Sequence, residues 1–241
     1  MIEGRLSNVI GHDGYHNFHD YVDAVLNDKS GDMLNLLVTK LTTNFTYFMR
    51  EETHYRFLCE QALPEWTAKI KDHDLRTWSA GCSSGEEAYT AAIMIREYLG
   101  STKNAWDMTI LATDISPRVL TAAKTGVYPK GHFEGLSAPL RDKYFYKLDN
   151  DNYKVGQELA QAVIFAPLNL MDNFNFRRKF HVIFCRNVMI YFDNNTKRQL
   201  ADKFYNVLEP GGYLFIGLSE TFSGISNRFT TVSPSIYKKG I

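Results

Sequence analysis

The feature that most constrains the fold is a small-residue turn, Gly81-Cys-Ser-Ser-Gly85, between two apolar segments. Residues 75–78 before it indicate the end of a buried strand. Residues 86–99 after it have the apolar periodicity of a helix, which Gly100 is placed to end. Backbone N–H groups can approach a ligand at such a junction because no Cβ intervenes. The spacing is not the Gly-x-Gly-x-x-Gly of dinucleotide dehydrogenases, so a nucleotide-type ligand and an ordinary tight turn remain equal alternatives.

A second strand, predicted over residues 108–114, ends in an acid. Ser116-Pro117 then supplies the N-cap and first-turn proline of a short helix that Gly126 ends. In nucleotide-binding folds an acid at this position binds the ribose, because a carboxylate accepts both hydroxyl protons. Asp114 lies farther from the glycine turn than the roughly 20 residues typical of dehydrogenases, which favours a different nucleoside. A plain cap or turn role for Asp114 remains the alternative.

The later part of the chain continues the α/β alternation. Residues 180–185 are almost all apolar, as a central parallel strand requires, and polar residues follow directly. Open α/β sheets bind ligands at the carboxyl ends of such strands. A helix predicted over residues 194–208, the turn Glu209-Pro-Gly-Gly212 and strands over 213–217 and 235–238 complete an arrangement typical of class I methyltransferases.

The first part of the chain lacks strand alternation. Residues 6–66 are predicted to be helical, and the third helix is expected to begin near Glu52 and to end at Pro64. In the middle of this unit, three polar residues alternate with bulky apolar ones: Asn44, Thr46 and Arg50. A simple helix connection with a surface arginine is the alternative interpretation.

The predicted sheet is interrupted over about residues 127–166. A short helix is predicted within 137–148, and strands over 152–155 and 162–165 are expected to form a small antiparallel element. It can present a surface to a partner or be a solvated face. The chain is thus divided into a helical subdomain (1–66) and an α/β domain (67–241) that contains the inserted β subdomain.

Composition narrows the classes of function. Lys and Arg together number 27, as do Asp and Glu, so net charge favours neither nucleic acid nor an anionic membrane as a partner. Cys59, Cys82 and Cys185 are widely spaced, which suggests reduced thiols and neither a metal site nor a disulfide framework. No apolar run approaches the roughly 20 residues of a membrane span, and no signal peptide is visible. We therefore expect a cytoplasmic protein without membrane insertion.

Several short segments together carry a family resemblance: TTNFTYFMRE at 42–51, WSAGCSSGEEAYT at 78–90, ATDIS at 112–116, APLNL at 166–170, FCRNVMIYFD at 184–193, LEPGGYLFIG at 208–217 and SETF at 219–222. In these segments and their order the chain strongly resembles the chemotaxis receptor methyltransferase (CheR) family. The resemblance implies an α/β, Rossmann-like class I methyltransferase with a mostly parallel seven-stranded sheet, an N-terminal helical subdomain and a small inserted antiparallel β subdomain.

The resemblance also implies an activity. Family members transfer the methyl group of S-adenosylmethionine to glutamate side chains on the cytoplasmic helical domains of chemotaxis receptors, with S-adenosylhomocysteine as product. The chain is accordingly expected to be a cytoplasmic, monomeric protein-glutamate O-methyltransferase without a metal. By position, the resemblance places the following residues at the cofactor: Asn44, Thr46, Arg50, Gly81, Glu87, Asp114, Asn169, Leu170, Arg186 and Asn187. It places Arg50 and Tyr191 near the transferred methyl group as catalytic residues.

The implied chemistry needs little acid–base catalysis. A glutamate has a pKa of about 4.3 and is already an anionic nucleophile at neutral pH. Positioning and desolvation should therefore dominate. Arg50 can hold one carboxylate oxygen while the other attacks, and Tyr191 can donate to the substrate or face the sulfonium.

Two departures from the family pattern qualify the resemblance. Members usually have further basic helix ahead of the point where this chain begins, so the helical unit is expected to be shortened here. Residues 6–30 contain few Lys or Arg, so docking on receptors is expected to be differently organised. The loop at 148–153 is short, whereas members that grip a receptor's C-terminal pentapeptide have a longer glycine-containing loop. Pentapeptide binding is therefore not expected.

Other functions remain as alternatives. A class I methyltransferase acting on another protein is the nearest, and the polar residues of the helical unit disfavour a small-molecule substrate. A noncatalytic S-adenosylmethionine sensor is a less favoured alternative. An NAD dehydrogenase is disfavoured by the glycine spacing and by the Pro-Gly-Gly hairpin.

Overall fold

The computed structural model describes residues 6, 15–41 and 45–240. Its α-helices are α1 (Phe18–Asn27), α2 (Asp32–Leu41), α3 (Glu52–Phe57), α4 (Leu63–Lys69), α5 (Glu86–Leu99), α6 (Pro117–Thr125), α7 (Ala138–Tyr144), α8 (Gln157–Gln161) and α9 (Asn194–Val207). Its strands are β1 (Thr77–Ala80), β2 (Ile110–Asp114), β3 (Val127–Pro129), β4 (Phe145–Lys147), β5 (Asn152–Val155), β6 (Val163–Pro167), β7 (Phe180–Cys185), β8 (Leu208–Ile216), β9 (Phe229–Ser233) and β10 (Ile236–Lys239). None of the helices in these ranges is long and apolar enough to cross a membrane.

Seven of the described strands form one sheet in the order β6-β2-β1-β7-β8-β10-β9. The first five strands in this order run parallel, and β10 is antiparallel to both of its neighbours. The predicted mostly parallel seven-stranded sheet is confirmed. β7 lies at its centre and is buried along its whole length, which explains its continuous apolar sequence.

The glycine-bounded helix follows the sequence closely. α5 begins directly after Gly85 (φ 97°) and ends before Gly100 (φ 53°). Glycine adopts such positive φ values without a steric penalty, so local sequence defines both ends of the helix. α5 thus begins shortly after the carboxyl end of β1, which is where the sequence predicts a ligand site.

The prediction that Pro64 ends the third helix is wrong. α3 continues through a π-helical turn, Leu58–Ala62, directly into α4, where Pro64 occupies the first turn. A proline is tolerated there because the π-helical turn before it replaces the i→i−4 hydrogen-bond pattern, in which a proline cannot take part. Leu58, Leu63 and Trp66 share the core of the sheet, so this segment packs as part of the α/β body.

α1 and α2 have a small core of their own, in which the buried Tyr21 packs against partly buried residues such as Phe18 and Leu37. The helical unit of the described chain thus contains two parts that pack differently. A domain boundary at residue 66 stays a prediction.

The inserted element is smaller than predicted. β3, β5 and β4 form a three-stranded antiparallel sheet, as expected for residues 152–155. The assignment of residues 162–165 to this element is wrong, because β6 pairs in parallel with β2, from Ile110↔Val163 to Asp114↔Pro167. A strand's own apolar pattern does not specify its partner, and the free edge of β2 provided the longer pairing.

Candidate functional site

The glycine turn is held to β2 by its own backbone. The N–H groups of Gly81 and Cys82 both donate to the carbonyl of Thr113, at 2.8 and 2.9 Å. The N–H of Ser83 donates to Asp114 Oδ2 at 2.9 Å. These N–H groups therefore bind the neighbouring strand, and the expectation that they cradle a ligand does not hold for them.

Gly81 serves instead to allow a close approach. Its φ is 80°, and a Cβ at this position would lie 2.5 Å from Cγ2 of Val188 in the segment that follows β7. A larger residue would push this segment away from the turn. Gly81 therefore keeps the ends of β1 and β7 close together.

A cavity of about 390 Å³ opens at the carboxyl ends of these strands. Its volume lies in the range of small-molecule and cofactor sites, about 300–1,000 Å³. The predicted site residues that line it are Thr46, Arg50, Gly81, Glu87, Asp114, Asn169, Leu170, Arg186, Asn187 and Tyr191. Asn44, also predicted, lies outside the described residues. The structure therefore brings together ten residues that are scattered over the sequence, while their individual roles stay predictions.

Asp114 is almost completely buried at the tip of β2. Burial raises the pKa of its carboxyl, and hydrogen bonds from the backbone N–H groups of Ser116 and Ser83 oppose this rise. Asp114 Oδ1 accepts from Ser116 N at 3.0 Å, so Asp114 also fills the turn role that was considered as the alternative. A carboxylate has more lone pairs than these two bonds use, and Asp114 borders the cavity. The two interpretations of Asp114 are thus compatible.

Glu87 lies in the first turn of α5 and faces the same cavity. Its Oε1 accepts from Ser79 Oγ at 2.7 Å, and its Oε2 lies 3.5 Å from Nη1 of Arg186. Burial raises the pKa of Glu87, and the Arg186 charge opposes that rise. The carboxyl therefore faces the cavity with the positive charges of Arg186 and Arg50 nearby.

Arg186 lines the cavity, but its guanidinium is largely committed to protein groups. Nε donates to Glu51 Oε2 at 3.1 Å, Nη1 donates to the hydroxyl of Tyr55 at 2.9 Å, and Nη2 donates to the carbonyl of Arg50. Only 2% of its side chain is exposed. Arg186 therefore fixes the segment around Arg50 and Glu51 against the end of β7.

Glu51 is a site residue that sequence reasoning missed. Besides the bond from Arg186, its Oε1 accepts from Asn187 Nδ2 at 3.2 Å and from Leu218 N at 3.1 Å. Burial raises the pKa of Glu51, but the Arg186 charge and these two hydrogen bonds outweigh it and lower the pKa overall. Glu51 ends the first of the recognised segments and is followed by a second glutamate, Glu52, which is exposed. Nothing in the sequence distinguishes the paired glutamate from the exposed one.

Glu220 is the second residue that was missed. Its buried carboxylate accepts from the backbone N–H groups of Gly217, Asn187 and Ile190, at 2.6, 3.0 and 3.1 Å. These bonds shape the segment that leads from β7 to Tyr191. The sequence signal for Glu220 is the SETF segment at 219–222, which contributes to the family resemblance, although the resemblance assigns no role to its glutamate.

Arg50 and Tyr191 reach the cavity from different elements. Arg50 Nη1 donates to the carbonyl of Phe45 at 2.8 Å, and Tyr191 is 50% exposed. Arg50 also lies between two residues with left-handed backbone, Met49 (φ 62°) and Glu51 (φ 58°). Strained backbone of this kind often occurs at functional sites.

The wall near Asn169 combines an internal hydrogen bond with apolar surface. Asn169 Oδ1 accepts from Met171 N at 2.9 Å, and Leu170 is buried beside it. Together with Leu168 and Ile115 they form a mostly apolar part of the lining. The site thus has an apolar region next to the acids of β2 and α5. The described residues contain no cluster of His, Cys, Asp or Glu that could hold a metal ion.

A protein-family model described as "CheR methyltransferase, SAM binding domain" matches residues 44–238, which contain all the described cavity-lining residues except Val38 and Leu41. The chain belongs to the CheR methyltransferase family. The chemotaxis protein methyltransferase of Borreliella burgdorferi is 44% identical to this CheR-family chain over 99% of it and 86% of the relative. The corresponding protein of Escherichia coli is 34% identical over 98% of the chain and 82% of the relative. The probable chemotaxis protein methyltransferase of Rhizobium etli is also 34% identical, over 99% of the chain and 90% of the relative.

The CheR membership assigns S-adenosylmethionine as the cofactor of this methyltransferase. The residues present fit that group. The cavity is large enough for a nucleoside with an amino-acid tail, its acids suit a cationic, hydroxyl-rich ligand, and its apolar wall suits an aromatic base.

Proposed function

We propose that this chain is a protein-glutamate O-methyltransferase that acts on the cytoplasmic helical domains of chemotaxis receptors. The observation that carries the proposal is the convergence of Arg50 and Tyr191 on the cofactor cavity, where no histidine is found among the described lining residues. A lining without a histidine base suits an acceptor that is already ionised, and a glutamate carboxylate is ionised at neutral pH. The relatives named as chemotaxis protein methyltransferases support a substrate in chemotaxis.

When bound, S-adenosylmethionine would supply a methyl group on a positively charged sulfur. A bond from this methyl carbon to one oxygen of the acceptor carboxylate would form as the carbon–sulfur bond breaks, which leaves a neutral thioether. Arg50 holds the other carboxylate oxygen and orients the acceptor for in-line attack. Tyr191, half exposed at the cavity, donates its hydroxyl to the acceptor or presents its ring to the cation. The reaction neutralises a positive and a negative charge together, so a partly dry cavity favours it.

The remaining cavity residues hold the cofactor in this proposal. Asp114 binds the ribose hydroxyls, and Glu87 binds polar groups of the methionyl part, while Asn169 and Leu170 contact the adenine. Thr46, Gly81, Arg186 and Asn187 complete the site, with Arg186 acting mainly through the segment that it holds, and Asn44 is assigned to it by the family resemblance.

Methyl transfer from radiolabelled S-adenosylmethionine to a receptor cytoplasmic fragment tests the proposal. We expect incorporated label that is released as methanol by mild base, the property of a glutamate methyl ester. Arg50→Ala should lower turnover by about 100-fold, the scale on which misplaced reactants lose rate. Arg56→Ala, an exposed arginine on α3, is the matched control and should retain full turnover. Base-stable label, or transfer only to a non-receptor protein, would contradict the proposed substrate.

We further propose that docking does not depend on a receptor C-terminal pentapeptide. The loop between β4 and β5 is short, and a hydrogen bond from Leu148 N to Asn152 O at 2.8 Å closes it. Calorimetric titration with such a pentapeptide should show no binding, and micromolar affinity would refute this part of the proposal.

A further inference from the structure

The turn that carries Arg50 is anchored by the inserted β subdomain. Phe48, two residues before Arg50, is fully buried and inserts its ring among aromatic residues of that subdomain. It stacks on Phe133 with ring centroids 4.6 Å apart, and it meets Tyr128 and Phe145 edge to face at 5.0 and 5.1 Å. Such a cluster fixes the position of the ring and thereby of the adjoining backbone.

Backbone contacts reinforce this anchor. The N–H of Phe48 donates to the carbonyl of His132 at 2.9 Å. Gly135 approaches the turn so closely that a Cβ there would lie 2.8 Å from the carbonyl oxygen of Phe48 and 3.0 Å from Cβ of Met49. The turn is therefore pressed against the loop formed by residues 130–135.

The other end of the turn is held by the sheet. Glu51 is fixed by Arg186, Asn187 and the backbone of Leu218, as described above. Between the two anchors, Met49 and Glu51 keep left-handed backbone that non-glycine residues adopt only when their surroundings enforce it. The orientation of Arg50 thus depends on both anchors.

We infer that Phe48 and Gly135 are positioning residues for Arg50, and that the inserted β subdomain helps to build the methyl-transfer site. The inference rests on the role proposed for Arg50. Its physical basis is that Arg50 sits on a strained turn whose Phe48 end packs on this subdomain. Beside that packing, Met49 N donates to Thr90 Oγ1 of α5 at 3.3 Å. A displacement of this turn by a fraction of an ångström moves the guanidinium relative to the reacting atoms.

Gly135→Ala is the test, and Gly131→Ala is its matched control. Both glycines lie in the same loop, but a Cβ at position 131 would meet no atom within 4 Å. We expect Gly135→Ala to lower kcat/KM for methyl transfer by about 10- to 100-fold and Gly131→Ala to leave it unchanged. Phe48→Leu, which trims the anchor without adding bulk, should lower it in the same direction, whereas Phe176→Leu on the other face of the sheet should not. Melting curves establish that each variant is folded at the assay temperature.

A double-mutant cycle with Arg50→Ala separates positioning from general damage. If Phe48 and Gly135 act through Arg50, neither substitution should lower turnover further once Arg50 is absent. Equal activity of Gly135→Ala, Phe48→Leu and wild type beside an impaired Arg50→Ala would overturn the inference alone, as would full additivity in the cycle. Full activity of Arg50→Ala would instead overturn the role proposed for Arg50 and, with it, this inference.

Discussion

Glu51 and Arg186 form an ion pair with 3.1 Å between Oε2 and Nε, and only 12% and 2% of their side chains are exposed. The pair joins the segment that precedes α3 to the end of β7. Because Asn187 and Leu218 also donate to Glu51, one carboxylate connects three parts of the chain at the edge of the cofactor cavity. Glu51 is therefore both a structural link and a determinant of site geometry.

Removal of this carboxylate should be strongly destabilising. Glu51→Ala removes the carboxylate hydrogen-bonded to the buried Arg186 and leaves Glu87, 3.5 Å away, as its remaining counter-charge. Breaking a buried pair typically lowers the free energy of unfolding by about 3 kcal/mol or more. Urea unfolding followed by circular dichroism measures the change. Asp202→Asn, in the exposed pair with Arg228, is the control and should change stability by less than about 1 kcal/mol. Equal effects of the two substitutions would contradict the structural role of Glu51.

His54 should make stability fall on mild acidification. Burial, with the Arg186 charge beside it, lowers the pKa of His54 to about 4, and Glu51 opposes this shift. The unfolded chain takes up the proton near pH 6.5, so between pH 6.5 and about 4 it binds more protons than the folded chain and stability is lost as pH falls. One such proton contributes a slope of at most about 1.4 kcal/mol per pH unit.

His54→Gln removes that contribution while it can retain a hydrogen bond to Ser235, whose Oγ lies 2.7 Å from His54 Nε2. Unfolding free energies at several pH values between 6.5 and 4 should show a shallower slope in this variant. His19→Gln, an exposed substitution on α1, should keep the wild-type slope. An unchanged slope in His54→Gln would show that folding does not lower the pKa of His54.

Gly81→Ala should weaken cofactor binding. The added Cβ would meet Val188 at 2.5 Å and would require a positive φ, so the turn and the segment after β7 must separate. We expect the affinity for S-adenosylhomocysteine, measured by calorimetry, to fall at least about 10-fold, or roughly 1.4 kcal/mol.

Two further variants identify the cause. Gly224→Ala adds a Cβ at a similar φ of 70° but meets no atom within 4 Å, so it tests backbone strain alone and should keep cofactor affinity. Val188→Ala in the Gly81→Ala background should recover part of the affinity by relieving the contact. No recovery would indicate that strain, and not the close approach of Val188, requires glycine at this position.

Asp114→Asn should impair the cofactor site without unfolding the protein. The amide retains one oxygen for the Ser83 or Ser116 N–H but loses the charge and one of the acceptors that we propose for the ribose hydroxyls. A charged hydrogen bond contributes about 1.5–3 kcal/mol, so affinity should fall by about 10- to 100-fold. Asp107→Asn, which keeps an acceptor for Thr109 N and removes a carboxylate away from the cavity, is the control. Equal affinity in both variants would assign Asp114 to the turn alone.

Several elements were predictable because their signals are local. α5 begins and ends at the predicted residues since both of its flanking glycines adopt positive φ, and α6 likewise starts after Ser116 and ends at Gly126. The central position of β7 followed from its continuous apolar sequence. The grouping of Arg50, Asp114 and Arg186 at one site came from the family resemblance of short segments.

Other features depend on contacts that a local pattern does not contain. The sequence of β6 was consistent with either sheet, and its pairing was decided by the free edge of β2. Pro64 by itself predicts a helix end. The helix continues because of the preceding π-helical turn, Leu58–Ala62, which has no recognisable pattern in the sequence.

The sequence by itself determined the cofactor-binding family, the glycine turn and ten of the residues that line the cavity, since these lie in short segments that match the family in order. Only the tertiary structure decided which acids are buried, that Arg186 holds the turn of Arg50, and that Phe48 is anchored in the inserted subdomain. The physical reason is that burial and charge pairing depend on groups that are far apart in sequence. Glu51 and Arg186 acquire their roles only when the chain path brings them within 3.1 Å of each other.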